Sequence, residues 1–441
     1  MITIDQLTEG QFDSLQRAKV LIQEATKNDG NWNHRTKHLT INGPAGTGKT
    51  TMMKFLVSWL RDEGITGVAL AAPTHAAKKV LANAVGEEVS TIHSILKINP
   101  TTYEEKQFFE QSAPPDLSKI RILICEECSF YDIKLFEILM NSIQPWTIII
   151  GIGDRAQLRP ADDKGISRFF TDQRFEQTYL TEIKRSNMPI IEVATEIRNG
   201  GWIRENIIDD LGVKQDKSVS EFMTNYFKVV KSIDDLYETR MYAYTNNSVD
   251  TLNKIIRKKL YETEQDFIVG EPIVMQEPLI RDINYEGKRF QEIVFNNGEY
   301  LEVSEIKPME SVLKCRNIDY QLVLHYYQLK VKSIDTGESG LINTISDKNE
   351  LNKFYMFLGK VAQDYKSGTI KAFWDDFWKI KNNYHRVKPL PVSTIHKGQG
   401  STVDNSFLYT PCITKYAEPD LASQLLYVGV TRARHNVNFV G

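Results

Sequence analysis

A chain of 441 residues, 41% hydrophobic and 25% charged, is long enough for two to four packed domains and too apolar to stay disordered. Its formal net charge of −3 excludes a uniformly basic surface, so any nucleic-acid site must be a local groove. No apolar run approaches the roughly 20 residues of a membrane span, Met1–Gly10 does not read as a signal peptide, and four cysteines in this length point to a reducing, cytoplasmic setting.

Residues 5–27 read as a helix with Leu7, Leu15, Ala18, Val20, Leu21 and Ile22 on one approximate face. Gln11 lies near its start, and its amide can both donate to and accept from an adenine edge. The strand-like run His38–Ile41 then leads into Asn42–Thr50, a complete G-x-x-x-x-G-K-[ST] pattern, and a helical run follows from Thr51 to Leu60. Strand, glycine loop and helix N-terminus form the context a phosphate-binding loop needs. Gly43, Gly46 and Gly48 let the backbone turn its N–H groups toward an anion, and the helix dipole favours the same charge. Lys49 can reach the β- and γ-phosphates, and the Thr50 hydroxyl can ligate Mg²⁺. Nucleotide contacts are therefore expected along Gly43, Pro44, Ala45, Gly46, Thr47, Gly48, Lys49, Thr50 and Thr51.

Gly67–Ala72 is a buried-strand pattern that releases Thr74, His75 and Lys78 at its carboxyl end, where ligands gather in open α/β sheets. Thr91–Ile95, with His93, is a similar short piece. Residues 97–118 are turn-rich and read as a small projecting hairpin, with Ile98, Tyr103 and Phe108 as tips able to meet a fork. Ile120–Cys125 is a second buried strand ending in Glu126 and Glu127. The first would hold a metal's water shell and the second would polarise the attacking water. Cys125 and Cys128 have metal or redox spacing without a second pair, so that spacing reads as coincidental. Trp146–Ile152 is a third strand that delivers Gln157 to the sheet edge, where an amide can sense a γ-phosphate. Arg185, in Leu180–Asn187, is a candidate transition-state cation.

A second α/β unit begins near residue 187, with a helix through Ile190 and Ile197 that stops at Asn199-Gly200-Gly201. Met241–Thr245 reads as a strand with Asn246 at its tip, followed by a helix through Val249 and Ile256. From about 264 to 345 the period changes to two, giving short strands at 273–275, 292–295, 300–303 and 322–324. A hairpin-type turn at 296–299 completes a small barrel-like β domain. Residues 350–385 are helical and aromatic, a core stripe first and a base-stacking surface second. The α/β pattern returns at Leu390–Ser401, with Thr394 and His396, and ends in a helix carrying Tyr427 and Arg432 and a last strand over 436–440. The chain reads as free of repeats and low-complexity stretches. Residue types alone leave open a nucleic-acid motor, a small-molecule or nucleotide kinase, and a DNA-binding scaffold without turnover. The arginine-bearing helix in a second α/β unit argues against the kinase. Intact Lys49, Glu127, Gln157 and Arg432 argue against the scaffold.

The stretches INGPAGTGKTT, AAPTHAAKK, STIHSILKINP, GIGD with Gln157 downstream, LTEIKRSN, STIHKGQGSTVD and QLLYVGVTRAR follow one another in an order that resembles superfamily-1 helicases. Within them the chain is similar to the Dda-like helicases of T-even bacteriophages, in the RecD-like class. The resemblance covers Gln11 to Arg434 and implies an α/β architecture of two RecA-like P-loop NTPase domains. The first would span 1–182, interrupted by a pin at about 84–120. The second would span 183–262 and 388–441, with an SH3-like β domain and hook inserted over 263–387. It implies an ATP- and Mg²⁺-dependent helicase that moves 5′→3′ on single-stranded DNA and opens forked duplex DNA in phage replication initiation and recombination. A DNA-stimulated translocase or remodeller and an RNA-directed helicase stay open, because 2′-OH discrimination is not legible in residue type.

Position by position, the resemblance implies that Gln11 reads adenine and Tyr427 lines the nucleotide site. Lys49, Glu127 and Gln157 would serve catalysis, Arg185 and Arg432 would be arginine fingers, and Thr50 and Glu126 would hold the metal. Thr74, His75, Lys78, His93, Asn246, Thr394 and His396 would contact the single strand. Single-stranded-DNA-binding and recombination proteins of the phage are expected partners of a monomer in the host cytoplasm, with no membrane involved. One departure stands out: the family usually writes Asp-Glu where this chain has Glu126-Glu127, and retained activity with altered turnover is expected.

Overall fold

The computed structural model describes residues 6–26, 37–102, 107–111, 114–159, 165–182, 188–285 and 288–441. It divides into two compact units, one of residues 1–98, 111–252 and 392–441, the other of 99–110 and 253–391.

The first unit begins with α1 (Glu9–Thr26), β1 (His38–Asn42), α2 (Lys49–Asp62), β2 (Val68–Ala72), α3 (His75–Val85), β3 (Val89–Thr91) and α4 (Ile92–Ile95). Two short strands, β4 (Ile98–Thr102) and β5 (Gln107–Gln111), which fall mostly in the second unit, form a sheet of their own where a hairpin is expected. Then come β6 (Ile122–Cys125), α5 (Ile133–Ser142), β7 (Ile148–Gly153) and β8 (Phe175–Tyr179). Six strands form a parallel sheet in the order β3-β2-β6-β7-β1-β8. Its central strands β2, β6 and β7 are apolar along their length because both faces are covered. Leu70, Ile122, Ile124 and Ile150 pack with Leu15 and Ile22 of α1 and Met53 and Leu56 of α2. The alternate residues Ala71, Leu123, Cys125 and Ile149 pack with Leu135, Phe136 and Leu139 of α5 and with Phe169.

The chain continues through α6 (Met188–Arg198), β9 (Asn206–Ile208), β10 (Leu211–Asp216), α7 (Val219–Val229), α8 (Asp235–Glu238), β11 (Thr239–Ala243) and α9 (Asn246–Tyr261). The run from β9 to α8 has no counterpart in the sequence reading.

The second unit holds β12 (Pro272–Met275), β13 (Leu279–Tyr285), β14 (Lys288–Phe295), β15 (Tyr300–Leu313), β16 (Leu322–Ser333), β17 (Ser339–Thr344), α10 (Lys348–Lys366), α11 (Trp374–Lys381) and β18 (Val387–Pro389). A five-stranded antiparallel sheet runs β17-β16-β15-β12-β18. The turn at 296–299 does not close a hairpin of paired strands, contrary to expectation. β14 pairs with β13 and β15 with β12 and β16, and Gly298 and Glu299 bond the backbone of Met275 instead. The aromatic stripe is mainly core: Phe354, Phe357 and Phe377 are buried together with Tyr365 and Leu358.

Back in the first unit lie β19 (Val392–Thr394), α12 (Ile395–Gly398), β20 (Val403–Leu408), α13 (Pro411–Tyr416), α14 (Pro419–Val430) and β21 (Ala433–Val440). They complete a second sheet, β19-β11-β20-β21-β10-β9, parallel except for β9. Phe222 and Tyr226 of α7 pack edge-on against Phe407 of β20.

The chain does contain a repeat. Val-Ser-Thr-Ile-His stands at 89–93 and again at 392–396. Each copy is an edge strand followed by a four-residue helix. Thr91 Oγ1 accepts from the Ser94 N–H at 3.2 Å and Thr394 Oγ1 from the Lys397 N–H at 3.3 Å, so each threonine caps its helix. The register matches as well, with Ala72 beside Thr91 and Ala243 beside Thr394. Two residues past these alanines, Thr74 and Thr245 cap α3 and α9 in the same manner.

Candidate functional site

The loop after β1 is shaped by glycine. Gly46 and Gly48 have φ of 88° and 73°, the left-handed region that a Cβ disfavours. Gly48 immediately precedes α2, so the loop amides meet a helix N-terminus. Lys49 Nζ donates to the Gly43 and Pro44 carbonyls at 2.8 and 3.1 Å, holding the loop together. Thr47 Oγ1 closes it with a 2.9 Å bond to the Pro44 carbonyl.

A cavity of about 470 Å³ opens over this loop, within the range of small-molecule sites. Gln11, Ala45, Gly46, Gly48, Lys49, Thr50, Thr51, Glu126, Glu127 and Gln157 line it from the first sheet's side. Gly400, Thr402, Thr431 and Arg432 line it from the second. Gly43, Pro44 and Thr47 belong to the loop but not to the cavity wall. Gln6, Ala77, Val80 and Leu81 also line the cavity, and the sequence reading assigned them no role.

Gln11 is buried and its amide is engaged by protein. Nε2 donates to the Thr47 carbonyl at 2.8 Å, and Oε1 accepts from the Thr8 N–H at 2.9 Å. The residue thus braces the phosphate loop directly.

Glu126 and Glu127 follow β6. Glu127 has φ 48° and ψ 46°, a strained conformation for a residue with a Cβ, and such strain collects at functional sites. Burial raises both carboxyl pKa values. At Glu126 the neighbouring Glu127 charge adds to the rise and Lys49 opposes it; at Glu127 Lys49 and Arg432 oppose it. Glu127 Oε2 is buried and makes no hydrogen bond among the described residues, so one carboxylate oxygen is left to accept from a ligand or water. The neighbouring Cys125 and Cys128 are packed in the core, and burial pushes the Cys125 thiol up to about 12. Thiolates of this kind are disfavoured.

Gln157 follows β7, and its Oε1 accepts from Gln399 Nε2 at 2.6 Å. Arg432 is buried, with its guanidinium donating to the carbonyls of Val428 and Ser401, each at 3.0 Å, and to Thr431 Oγ1 at 3.1 Å. Tyr427 is 2% exposed and does not line the cavity. It lies behind the loop, with its hydroxyl bonded to Asp154 and to the Ala45 N–H. Arg185 and the side chain of His75 lie outside the described residues.

The expected strand-contacting residues collect at strand carboxyl ends. Thr74 follows β2, His93 follows β3, Asn246 opens α9 after β11, Thr394 ends β19 and His396 follows it. Burial lowers the pKa values of His93 and His396, so both rings are neutral at pH 7. Tyr244 faces His396 at 6.0 Å between ring centroids. Lys78 lies one turn into α3.

Asp154, Gln399, Arg198 and Thr245 carry contacts that the sequence reading left unassigned. Asp154 and Gln399 sit inside stretches quoted for the resemblance, beside residues that were assigned.

Three family models match the chain: an AAA domain over residues 32–212, a Dda helicase SH3 domain over 264–389 and a UvrD-like helicase C-terminal domain over 389–440. The ATP-dependent DNA helicase dda of Enterobacteria phage T4 is 50% identical over 450 residues, covering 100% of both chains. The RecBCD enzyme subunit RecD of Buchnera aphidicola is 24% identical, covering 90% of this chain and 69% of that protein. Among solved structures, the Pif1 helicase from Bacteroides in complex with ADP-AlF3 and ssDNA shares the fold. It has a TM-score of 0.52 and 18% identity, over 99% of this chain and 92% of that one.

Proposed function

The chain belongs to the Dda family of ATP-dependent DNA helicases, and from that membership we propose that it turns ATP hydrolysis into 5′→3′ movement along single-stranded DNA. At a fork it opens the duplex, in phage replication initiation and recombination. One observation carries the mechanism: Lys49, Glu127 and Gln157 from one parallel sheet and Thr431 and Arg432 from another line a single cavity. A phosphate held there touches both sheets at once, so its hydrolysis changes what joins them.

The phosphates of ATP lie along Ala45–Thr51, with Lys49 as point charge. The Gly46 and Gly48 geometry and the orphaned Glu127 oxygen support this fit. Thr50 and Glu126 would hold Mg²⁺, which would supply positive charge to the phosphate oxygens. Glu127 accepts the proton of the attacking water, and Gln157 reads the γ-phosphate. Arg432 stabilises transition-state charge, and Arg185 is proposed for the same role.

The single strand runs along the carboxyl ends of both sheets, at Thr74, His75, Lys78, His93, Asn246, Thr394 and His396. The repeated Val-Ser-Thr-Ile-His unit gives each sheet a similar edge, so two alike grips can alternate on one backbone. Contacts of this kind are directed to phosphates and depend little on base sequence. The motor domains are proposed at 1–182 and at 183–262 with 388–441, the pin at about 84–120 and the SH3-like insert over 263–387. No helix among the described residues is long and apolar enough to cross a membrane. A monomer in the host cytoplasm, working with the phage's single-stranded-DNA-binding and recombination proteins, is the proposed setting. Steady-state ATP hydrolysis with and without single-stranded DNA tests the reading. DNA should stimulate the wild type and leave Lys49→Ala inert, and turnover indifferent to DNA would refute it.

A further inference from the structure

The Asp154 carboxylate, just past β7, is completely buried. Its Oδ1 accepts from the Ala156 N–H at 3.0 Å and lies 3.7 Å from the Arg198 guanidinium at the end of α6. Its Oδ2 accepts from the Tyr427 hydroxyl at 2.6 Å. The same hydroxyl accepts from the Ala45 N–H of the phosphate loop at 3.2 Å. Ala45 and Asp154 border the first sheet, whereas Arg198 and Tyr427 belong to helices of the second. A phenol carries one proton, so the direction is fixed: Ala45 N–H to Tyr427 oxygen, and Tyr427 O–H to the Asp154 carboxylate. Each bond polarises the next, and enclosure excludes water from competing.

We infer that Tyr427 is a positioning residue that ties α14, and the Arg432 just beyond it, to the state of the phosphate loop through Ala45 and Asp154. The Ala45 N–H belongs to the loop whose donors cradle phosphate oxygens. Engaging a phosphate draws that N–H away from the hydroxyl, while the charge-assisted bond to Asp154 persists. Arg432 is bonded to the Val428 carbonyl of α14, so a shift of the helix is passed to the guanidinium. The inference rests on the helicase reading and adds to it a route by which nucleotide in the loop reaches the second sheet.

Tyr427→Phe removes the hydroxyl and keeps the ring. Asp154→Asn keeps an acceptor and removes the charge facing Arg198. Each should lower DNA-stimulated kcat by about tenfold, with KM for ATP moving less than about threefold, in the range of known coupling energies. The double variant should be no slower than the worse single variant, because both cut one relay. Wild-type kcat in Tyr427→Phe would overturn the inference, as would losses that multiply in the double variant. A rise in KM in step with lost thermal stability would also overturn it, since that marks a merely structural role. Should Tyr427→Phe not fold, Asp154→Asn alone decides, and unchanged kcat refutes the relay. A wild-type protein that hydrolyses no ATP on DNA would instead sink the helicase reading.

Discussion

The Gln399 amide donates to the Gln157 side-chain oxygen at 2.6 Å, and both residues are buried. Gln157 is the proposed γ-phosphate sensor, and Gln399 stands three residues beyond His396 on the proposed DNA track. One hydrogen bond therefore links the two sites. Gln399→Ala should narrow the ratio of DNA-stimulated to DNA-free ATP hydrolysis several-fold, as a coupling of about 1–2 kcal/mol would. Phosphate release with and without a single-stranded oligonucleotide measures it, and an unchanged ratio would contradict the link.

Glu127→Gln keeps the shape of the side chain and removes its ability to take a proton. Hydrolysis should fall by roughly 10²–10⁴-fold, the usual worth of a general base. Binding of a fluorescent ATP analogue should stay within a few-fold of wild type. Retained turnover would assign the base elsewhere.

Glu126 is one methylene longer than the aspartate usual in the family. Because Lys49, Thr50, Glu127, Gln157 and Arg432 line the same cavity, Glu126→Asp should change ATP turnover by less than about tenfold, the low end of effects from altered metal surroundings. A rise of orders of magnitude from a near-dead parent would mean that Glu126 has silenced this protein.

Much of the site was legible because its chemistry imposes local spacing. The phosphate loop needs glycines at fixed offsets, and Gly46 and Gly48 have the positive φ that explains them. Glu126 and Glu127 were legible because a fully apolar strand ends in two acids. Tyr427–Asp154 and Gln399–Gln157 were not, since their partners are 273 and 242 residues apart and no pattern encodes the pairing. β9 escaped because Ile207 and Ile208 are both exposed, leaving no alternation to read. β15 was cut short because burial alternates only as far as Val303, after which the strand is mostly exposed. The Val-Ser-Thr-Ile-His repeat is too short to register as a period, and strand register reveals its meaning.

His38 offers a stability test away from the cavity. Its Nδ1 accepts from the Ile149 N–H at 3.1 Å, and burial, with Arg174 adding to it, lowers its pKa from 6.5 to about 4. The unfolded chain takes up the proton first as pH falls. Stability is therefore intact above pH 6.5 and is lost progressively down to about pH 4, by about 3 kcal/mol in total from this group. His38→Asn retains an acceptor and should flatten that part of the curve. Chemical denaturation at pH 7 and pH 5 measures it, and an identical pH dependence in the variant would contradict the assignment.

The most direct measurement is unwinding of two partial duplexes, one with a 5′ single-stranded tail and one with a 3′ tail, with ATP and Mg²⁺ and with Lys49→Ala as control. Opening of the 5′-tailed duplex alone, abolished in Lys49→Ala, is the predicted result. Opening of the 3′-tailed duplex alone would contradict the proposed direction of travel. DNA-stimulated hydrolysis without opening of either duplex would contradict strand separation and leave a translocase.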